Sequence, residues 1–432
     1  MEERCIMKSP ARPTLPARAS LENLRKQART LQKQHRQNVT DALGRVSELV
    51  SQPTLPLKLH DAQFVVAREY GFASWPKLVE HLQSRKPADR VQRANGRVWI
   101  DGVPRLRWGT SPEPTYIGAL EAALRAADHT LDITNLMGDS GLAFRVRWAT
   151  REEGQAWCGS GPCGEWPEEV DALNTSTGYV YVWGEPGKNR PITAEHRRRI
   201  SEHIDRGWPI LALGLRFDMA VIYGYEAEGE RVLLSDYWSS EQPCVIATAD
   251  VKDVGMFLER LGPAAPRATS VCAGLTLALQ RWRQGVVDAD PITGASYAYG
   301  AAGYARWLSD LERADALSEE QRKSLFFLNS WTFSALHQSR REHAAAYLRD
   351  NADSLPEAAG GHLESAALCY DAAAERLGAW DTVDPTFGYV KQKNLDTWTP
   401  EIRRREIELL TELHDLEARA MSHLERAVSY VV

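Results

Sequence analysis

The sequence predicts an α+β protein: one antiparallel strand unit with helical regions on either side. Three observations carry this. The stretch from Trp208 to Trp238 reads as three strands, 210–215, 219–225 and 231–235, with sharp turns at 216–218 and 226–229. Residues 20–82 and most of the chain after Thr269 repeat apolar side chains at helical spacing. The unbroken apolar run Ala220-Val221-Ile222-Tyr223 marks a strand covered on both faces.

A chain of 432 residues, 43% hydrophobic and 25% charged, has a globular composition. Its length fits about two or three domains. No apolar run approaches the roughly 18 residues that cross a bilayer. The first twenty residues lack an apolar core, so no secretory signal is expected. The six cysteines form no CxxC. Cys158 and Cys163 lack a second ligand pair for zinc, and a reducing cytoplasm is the expected compartment. The net charge of −6 is uneven, because residues 1–36 carry nine Lys/Arg against three Asp/Glu, leaving −12 for the remainder. Few aromatics interleave this basic stretch, which reads as a solvated helix face rather than a nucleic-acid site.

Residues 1–17, rich in Pro and Arg, form an expected disordered arm. Ser20 caps a helix to about residue 36, with Leu21, Leu24, Ala28 and Leu31 on one stripe. Thr40 starts a second helix over 41–50. A third, 59–70, stops at Gly71, and Ser74-Trp75-Pro76 opens a fourth that turns Leu78, Val79 and Leu82 inward. The string LHDAQFVVAREYGFASWPKLVEHL resembles a small helical module at the N-termini of many bacterial proteins, ankyrin-repeat proteins and diverse enzymes among them. No ankyrin period follows it, so residues 18–86 read as a packing or interaction appendage.

Residues 86–96 read as a polar linker, and 98–103 as a hairpin turning at Asp101-Gly102. Pro112 and Pro114 hold off helix until Thr115, after which Leu120, Ala123, Leu124 and Ala127 make a buried stripe. The Gly-rich TNLMGDSG then leads into a strand over 143–148. A loop over 151–167, a helix over 167–176, a strand over 180–184 and a charged helix over 193–206 complete an α+β domain spanning 97–265. Residues 266–432 form a helical domain. In it Ser318-Glu319-Glu320-Gln321 fits a capping box, Leu355-Pro356 is a break, and a further helix runs to about 378. Residues 381–396 are a connector that can wall a pocket. Thr399-Pro400 opens a final helix with Ile402, Leu409, Leu413, Leu416 and Ala420 on one face.

Several strings in order resemble the butirosin biosynthesis protein H family: PTYIGALEAALRA, LMGDSGLAFRVRW, CGSGPCGEWPEEV, DMAVIYGYE with VLLSDYW, GAAGYARWLSDL, and REHAAAYLRDNADSLPEAAGGHLESAALCYDAAAERL. The resemblance implies a papain-like core, related to bacteriocin-processing cysteine peptidases, followed by a helical domain. It also implies a link to moving an acyl group from a carrier protein onto an aminoglycoside. In such peptidases a Cys opens a buried helix, a His begins the strand of an H-x-V-V-x-x-G-Y-D pattern, and an Asp ends the next strand. Thiol catalysis needs that adjacent base and an orienting carboxylate. Here Thr115 stands at the helix start, Asp218 at the His position and Asp236 at the Asp position. Trp108 and Gly109 lie where an oxyanion-donating Gln would be. Cysteine-peptidase activity is therefore not expected.

Three readings of this altered cleft stay open. One is a catalytically inactive fold that binds a ligand or protein. Another is a carboxylate site in which Asp218, Glu113 and Asp139 converge near Thr115, so that burial or crowding raises one pKa and lets it transfer protons. The third is a regulatory or nucleic-acid role. The second is the commitment: a tailoring enzyme of secondary metabolism performing acyl or group transfer, elimination or cyclisation. Its expected catalytic residues are Asp218, Glu113, Thr115 and Asp236. Tyr116, Asp139, Ser140, Glu165 and Tyr237 would bind substrate. Plainer roles stand beside these: helix capping for Thr115, turn capping for Asp236, a turn at Asp139-Ser140 and a solvated loop position for Glu165. No metal or organic cofactor is expected. The partners are a small-molecule substrate, free or on a carrier protein, with room for a partner subunit but not for a membrane.

Other motifs carry less. Gly159–Gly164 fits G-x-G-x-x-G, but no strand precedes it and Pro162 interrupts it. His196 and His203 lie two helical turns apart, about 10 Å, too far to share a metal. His337 and His343 share no ligand face. The aromatic residues Tyr297, Tyr299, Tyr304, Trp307 and Trp331 read as core, some of them roofing a cleft at the domain junction.

Overall fold

A computed structural model describes residues 21–431 outside 51–55, 84–86, 109–113, 128–130, 151–166, 184–191, 214–217, 240–242, 252, 261, 288–295, 339–342 and 384–394. The expected disordered arm therefore lies outside the described residues. The protein is mixed helix and sheet, and its sheets are antiparallel.

Helices α1 (Leu21–Arg36), α2 (Thr40–Leu49), α3 (Leu59–Glu69) and α4 (Trp75–Gln83) enclose their own core of Leu24, Ala28, Leu31, Val46, Val65 and Leu78. Leu24, Ala28 and Leu31 of the first stripe and Leu78 of the last face that core. The expected linker is instead partly sheet. Strands β1 (Val91–Ala94) and β2 (Arg97–Ile100) pair as a hairpin that turns at Asn95-Gly96, with φ of 53° and 74°. Asn-Gly is the pair that tolerates two successive positive φ values, so the turn sits there and not at Asp101-Gly102. Beyond Ile100 the chain leaves the sheet.

Then come α5 (Thr115–Ala126), α6 (Ile133–Asp139), β3 (Arg147–Thr150), α7 (Pro167–Thr177), β4 (Tyr179–Trp183) and α8 (Ala194–Asp205). The opening strand unit is β5 (Ile210–Leu213), β6 (Met219–Glu226) and β7 (Arg231–Ser235), followed by β8 (Cys244–Ala247) and β9 (Asp253–Arg260). Strand β6 is the pivot of the larger sheet. It pairs with β7 on one edge and with β5 and then β2 on the other. The sheet continues through β9 to β4 and, beyond β7, to β8. Leu211, Met219 and Val221 point into a core with Ile117 and Leu120 of α5, while Ala220, Ile222 and Leu234 point at Ile200 and Ile204 of α8. Burial on both faces is why Ala220–Tyr223 reads as an unbroken apolar run.

Two expectations around residue 140 are corrected. TNLMGD is helix α6, because the Asp132 side chain accepts a hydrogen bond from the amide of Asn135 and caps it. The expected strand over 143–148 opens as a 3₁₀ turn, Leu142–Phe144, and becomes β3 only at Arg147. Among the described residues, strand β3 joins no part of the large sheet. It pairs with β11 (Ser296–Tyr299), which pairs with β10 (Val286–Val287) in a second sheet, so the region after residue 269 is not purely helical.

The remaining helices are α9 (Arg267–Arg283), α10 (Gly300–Glu312), α11 (Glu319–Gln338), α12 (Ala345–Asn351), α13 (Glu357–Val383) and α14 (Pro400–Ser429). The capping box forms as expected, with Ser318 Oγ accepting from the amide of Gln321 at 3.3 Å and Gln321 Oε1 from that of Ser318 at 3.1 Å. Thr399 caps α14. One apolar core includes Ile117 of α5, Leu136 of α6, Leu275 of α9, Leu348 of α12, Leu363 of α13 and Leu424 of α14, and so runs across residue 265. No described helix is long and apolar enough to cross a membrane.

Helix α9 meets α6 at Gly274, where a Cβ would lie 2.4 Å from the carbonyl oxygen of Gly138 and 2.9 Å from Cα of Asp139. Neither backbone can yield without shifting its helix. Gly274→Ala should therefore lower unfolding stability by about 2–4 kcal/mol. A Cβ at Gly361, within α13, meets nothing within 4 Å, so Gly361→Ala should stabilise by up to about 1 kcal/mol. Denaturant unfolding of the two variants checks the pair.

Candidate functional site

Pro114, with φ −68° and ψ 148°, holds the chain extended up to the first residue of α5. Thr115 does not cap its own helix. Its Oγ1 accepts a hydrogen bond from the amide of Met219 at 3.3 Å, tying the start of α5 to the start of β6. Asp218, half-buried, stands one residue before that strand. Its Oδ2 accepts from the indole Nε1 of Trp238 at 2.5 Å. Asp236 directly follows β7 and is 3% exposed. Its Oδ1 accepts from the amides of Trp238 and Ser239 at 3.0 and 2.6 Å, a turn cap of the kind the sequence allowed. Its Oδ2 is buried and has no hydrogen-bond partner among the described residues.

Trp108 closes the group. Its ring packs on Tyr237 and Trp238 at centroid separations of 5.0 and 5.7 Å, and its buried Nε1 likewise finds no partner among the described residues. Ser235 fixes this approach by donating to the carbonyl of Pro104 and accepting from the amide of Leu106, both at 2.9 Å. Thr115, Asp218, Asp236 and Tyr237 are thus brought together. Trp108 and Trp238 were the members that the strand pattern did not single out as functional.

Ser235 also lines a groove of about 340 Å³ with Arg97, Trp99, Val103, Tyr223 and Leu233. Burial pushes the Tyr223 phenol above its ordinary pKa. Arg97 does not bring a bare charge to the groove, because its guanidinium contacts Glu226 at 2.9 and 3.1 Å.

The other expected site residues do not converge there. Asp139 is fully buried. Its carboxylate takes a two-pronged ion pair from Arg267 at 2.7 and 2.8 Å and a hydrogen bond from the Tyr347 hydroxyl at 2.8 Å. Both oxygens are committed to the junction of α6, α9 and α12, which corrects the expectation that Asp139 joins Asp218. Ser140 is buried, and its hydroxyl donates back to the carbonyls of Leu136 and Met137. Tyr116 turns its ring into the main core at 2% exposure. Glu113, Glu165 and the G-x-G-x-x-G string lie outside the described residues, as does most of the 381–396 connector.

The polar network around Asp139 is wider than the sequence suggested. Arg267 also donates to Asn351 at 2.7 Å and Asn135 at 2.8 Å. Burial, reinforced by the Asp139 carboxylate, pushes the Tyr347 phenol well above its ordinary pKa. From α1, Arg29 donates to Asp132 at 3.0 Å and Asp350 at 2.6 Å, pinning the N-terminal helices to this junction. His343 lies beside it with Nδ1 3.2 Å from Thr134 Oγ1, and burial pushes its pKa down to about 4. His196 serves a separate end: its Nδ1 accepts from the amide of Thr193 in the cap of α8. Among the described residues no group of three or more His, Cys, Asp or Glu is placed to hold a metal.

No protein-family model matches the sequence, and no curated protein matches it significantly.

The depressed pKa of His343 has a stability consequence of definite sign. Below pH 6.5 the unfolded chain binds a proton that native His343 refuses until about pH 4. The stability it contributes is complete above pH 6.5 and is lost as the pH falls towards 4, by up to about 3 kcal/mol. Unfolding curves of the wild type and His343→Gln across this window should diverge by that amount; parallel pH dependences would remove His343 as the cause.

Proposed function

We propose that the chain is a tailoring enzyme of secondary-metabolite biosynthesis. In this reading residues 97–265 form a papain-like domain, and a carboxylate site replaces the thiol–imidazole pair. The observation that supports it is the hydrogen bond from the Met219 amide to the Thr115 hydroxyl. In the peptidases that the sequence resembles, a buried helix start and a strand start carry nucleophile and base. Here the same two positions hold Thr115 and Asp218, with Asp236 at the end of the neighbouring strand.

Asp218 is then the proton-transferring group. The Trp238 indole N–H fixes the direction of its carboxylate, and Asp236 fixes Trp238 by accepting from that residue's backbone amide. The N-terminus of α5 beside it favours negative charge developing on a bound substrate. The Trp99 and Tyr223 groove beside Ser235 offers two aromatic walls for a small molecule, free or presented on a carrier protein. Proton transfer of this kind serves group transfer, elimination or cyclisation, and none of these needs a thiol.

A second reading, a catalytically inactive peptidase-like binding protein, draws on a specific observation: Thr115 Oγ1 and Asp218 Oδ2 are both engaged within the chain. The two readings separate in one experiment. A producing strain lacking the gene is complemented with the wild type, Asp218→Asn or Tyr223→Ala, and its small-molecule products are compared by mass spectrometry. The enzyme reading expects Asp218→Asn to fold normally yet cut product formation by about 10²–10⁴-fold, with accumulation of precursor. Full restoration by Asp218→Asn, together with loss by Tyr223→Ala, is the outcome for a binding protein.

A further inference from the structure

Helices α1 and α2 leave a groove between the end of the first, the face of the second and the chain arriving at Leu57. Its volume is about 780 Å³, and Leu43, Val46, Pro56 and Leu57 give it apolar walls. The Leu57 wall is held in place, because Gln32 and Arg36 donate to its carbonyl at 3.1 and 3.4 Å. Thr40, Leu43, Gly44 and Ser47 recur at helical spacing, so one face of α2 forms the opposite side. A Cβ on Gly44 would meet nothing within 4 Å, which leaves open space above that face. His35 and Arg36 also line the groove, and none of its described lining residues is acidic. Leu43 and nearby Val39 stay exposed.

A complementary surface stands on α13. Leu368 is 65% exposed, more than any other large apolar side chain among the described residues. Glu357, Glu364, Asp371 and Glu375 share its stripe by helical spacing, and all four are exposed. Arg349 pairs with Glu364 at 3.8 Å and with Asp371, so four carboxylates face one guanidinium and the stripe stays acidic. Within a single chain neither surface covers the other. We propose that they meet between copies, with the Leu368 turn of one molecule seated in the α1–α2 groove of a second.

Charge complementarity selects this occupant. Arg36 lines the groove and Lys33, one turn back along α1, is exposed, while Asp41 and Glu48 lie on a different face of α2. The α13 stripe brings the opposite sign, with its acids arranged around one leucine. The leucine supplies the attraction by leaving water, and the charges set the orientation in which it enters. The contact joins two different patches. It closes into a pair where two molecules exchange α13 stripes reciprocally, and otherwise it grows as a chain. Its small size makes the association reversible.

Sedimentation velocity of the purified full chain from about 5 to 200 µM at low salt reads the association. The wild type should shift from monomer to a larger species as concentration rises, and about 0.5 M salt should weaken the shift. Leu368→Gln removes the apolar anchor without adding charge. Gly44→Leu fills the groove at a position where a Cβ is free of contact. Each variant should keep the circular dichroism of the wild type and weaken association at least about tenfold. Mixed in equal amounts, the two should pair again, because one retains the groove and the other the leucine. A wild type that stays monomeric to the highest concentration would overturn the proposal and leave the groove to a different acidic partner. Variants that associate as the wild type does, or a mixture no more associated than its components, would overturn it as well.

Discussion

Strand β6 is enclosed on all sides, and the rest of the architecture follows from satisfying it. Its backbone pairs with β7 on one edge and with β5 and β2 on the other. Its side chains alternate between the core under α5 and the core under α8. A strand so covered cannot slip by one residue without sending every side chain to the wrong layer. Its starting point is therefore fixed, and with it the positions of Asp218 just before it and Thr115 opposite it. The proposed chemistry relies on that rigidity more than on any single contact, because a proton-transferring carboxylate must be held in place.

A second constraint sits at the other side of α5 and α6. Fully buried Asp139 pairs with the partly exposed Arg267 beside the close approach of α6 and α9, and Tyr347 and Asn351 complete the hydrogen bonds. A buried ion pair is weak evidence of net stabilisation, yet removing one partner leaves an uncompensated charge in the interior. Here the pair links an element before residue 265 to two after it. The helices that follow the sheet are thus built into the same body as the proposed cleft. Through Arg29, the N-terminal helices are fastened to that junction as well.

Much of this was legible in the sequence where one signal dominated. The apolar stripes of α1 to α4, the proline-delayed start of α5, the cap of α11 and the strands β5 to β7 all follow from periodicity or punctuation. The turn at Asn95-Gly96 was legible too, but the polar residues around it pulled the reading towards a linker. Helix α6 was hidden because Gly138 suggests a turn; Asp132 followed by Asn135 was the cap that could have revealed it. Strand β11 is four residues among small ones, and its partner β3 lies about 150 positions earlier, a distance no local pattern reports. At the site, Thr115, Asp218, Asp236 and Tyr237 were placed by order along the chain. Asp139 was misassigned, because sequence gives no hint that Arg267 arrives from α9 to claim it.

The pairing of β3 with β11 also bears on how the molecule can be assembled during synthesis. Strand β3 leaves the ribosome long before its partner and must wait, with an unsatisfied backbone edge, for more than a hundred further residues. During that interval the sheet built on β6 can close, but the small sheet cannot. A shortened protein ending near residue 265 would keep that edge open permanently and would also lack Arg267, leaving Asp139 as an uncompensated charge. Its tendency would be towards self-association, so the two halves of this chain belong to one inheritance unit even though their periodicities look separable.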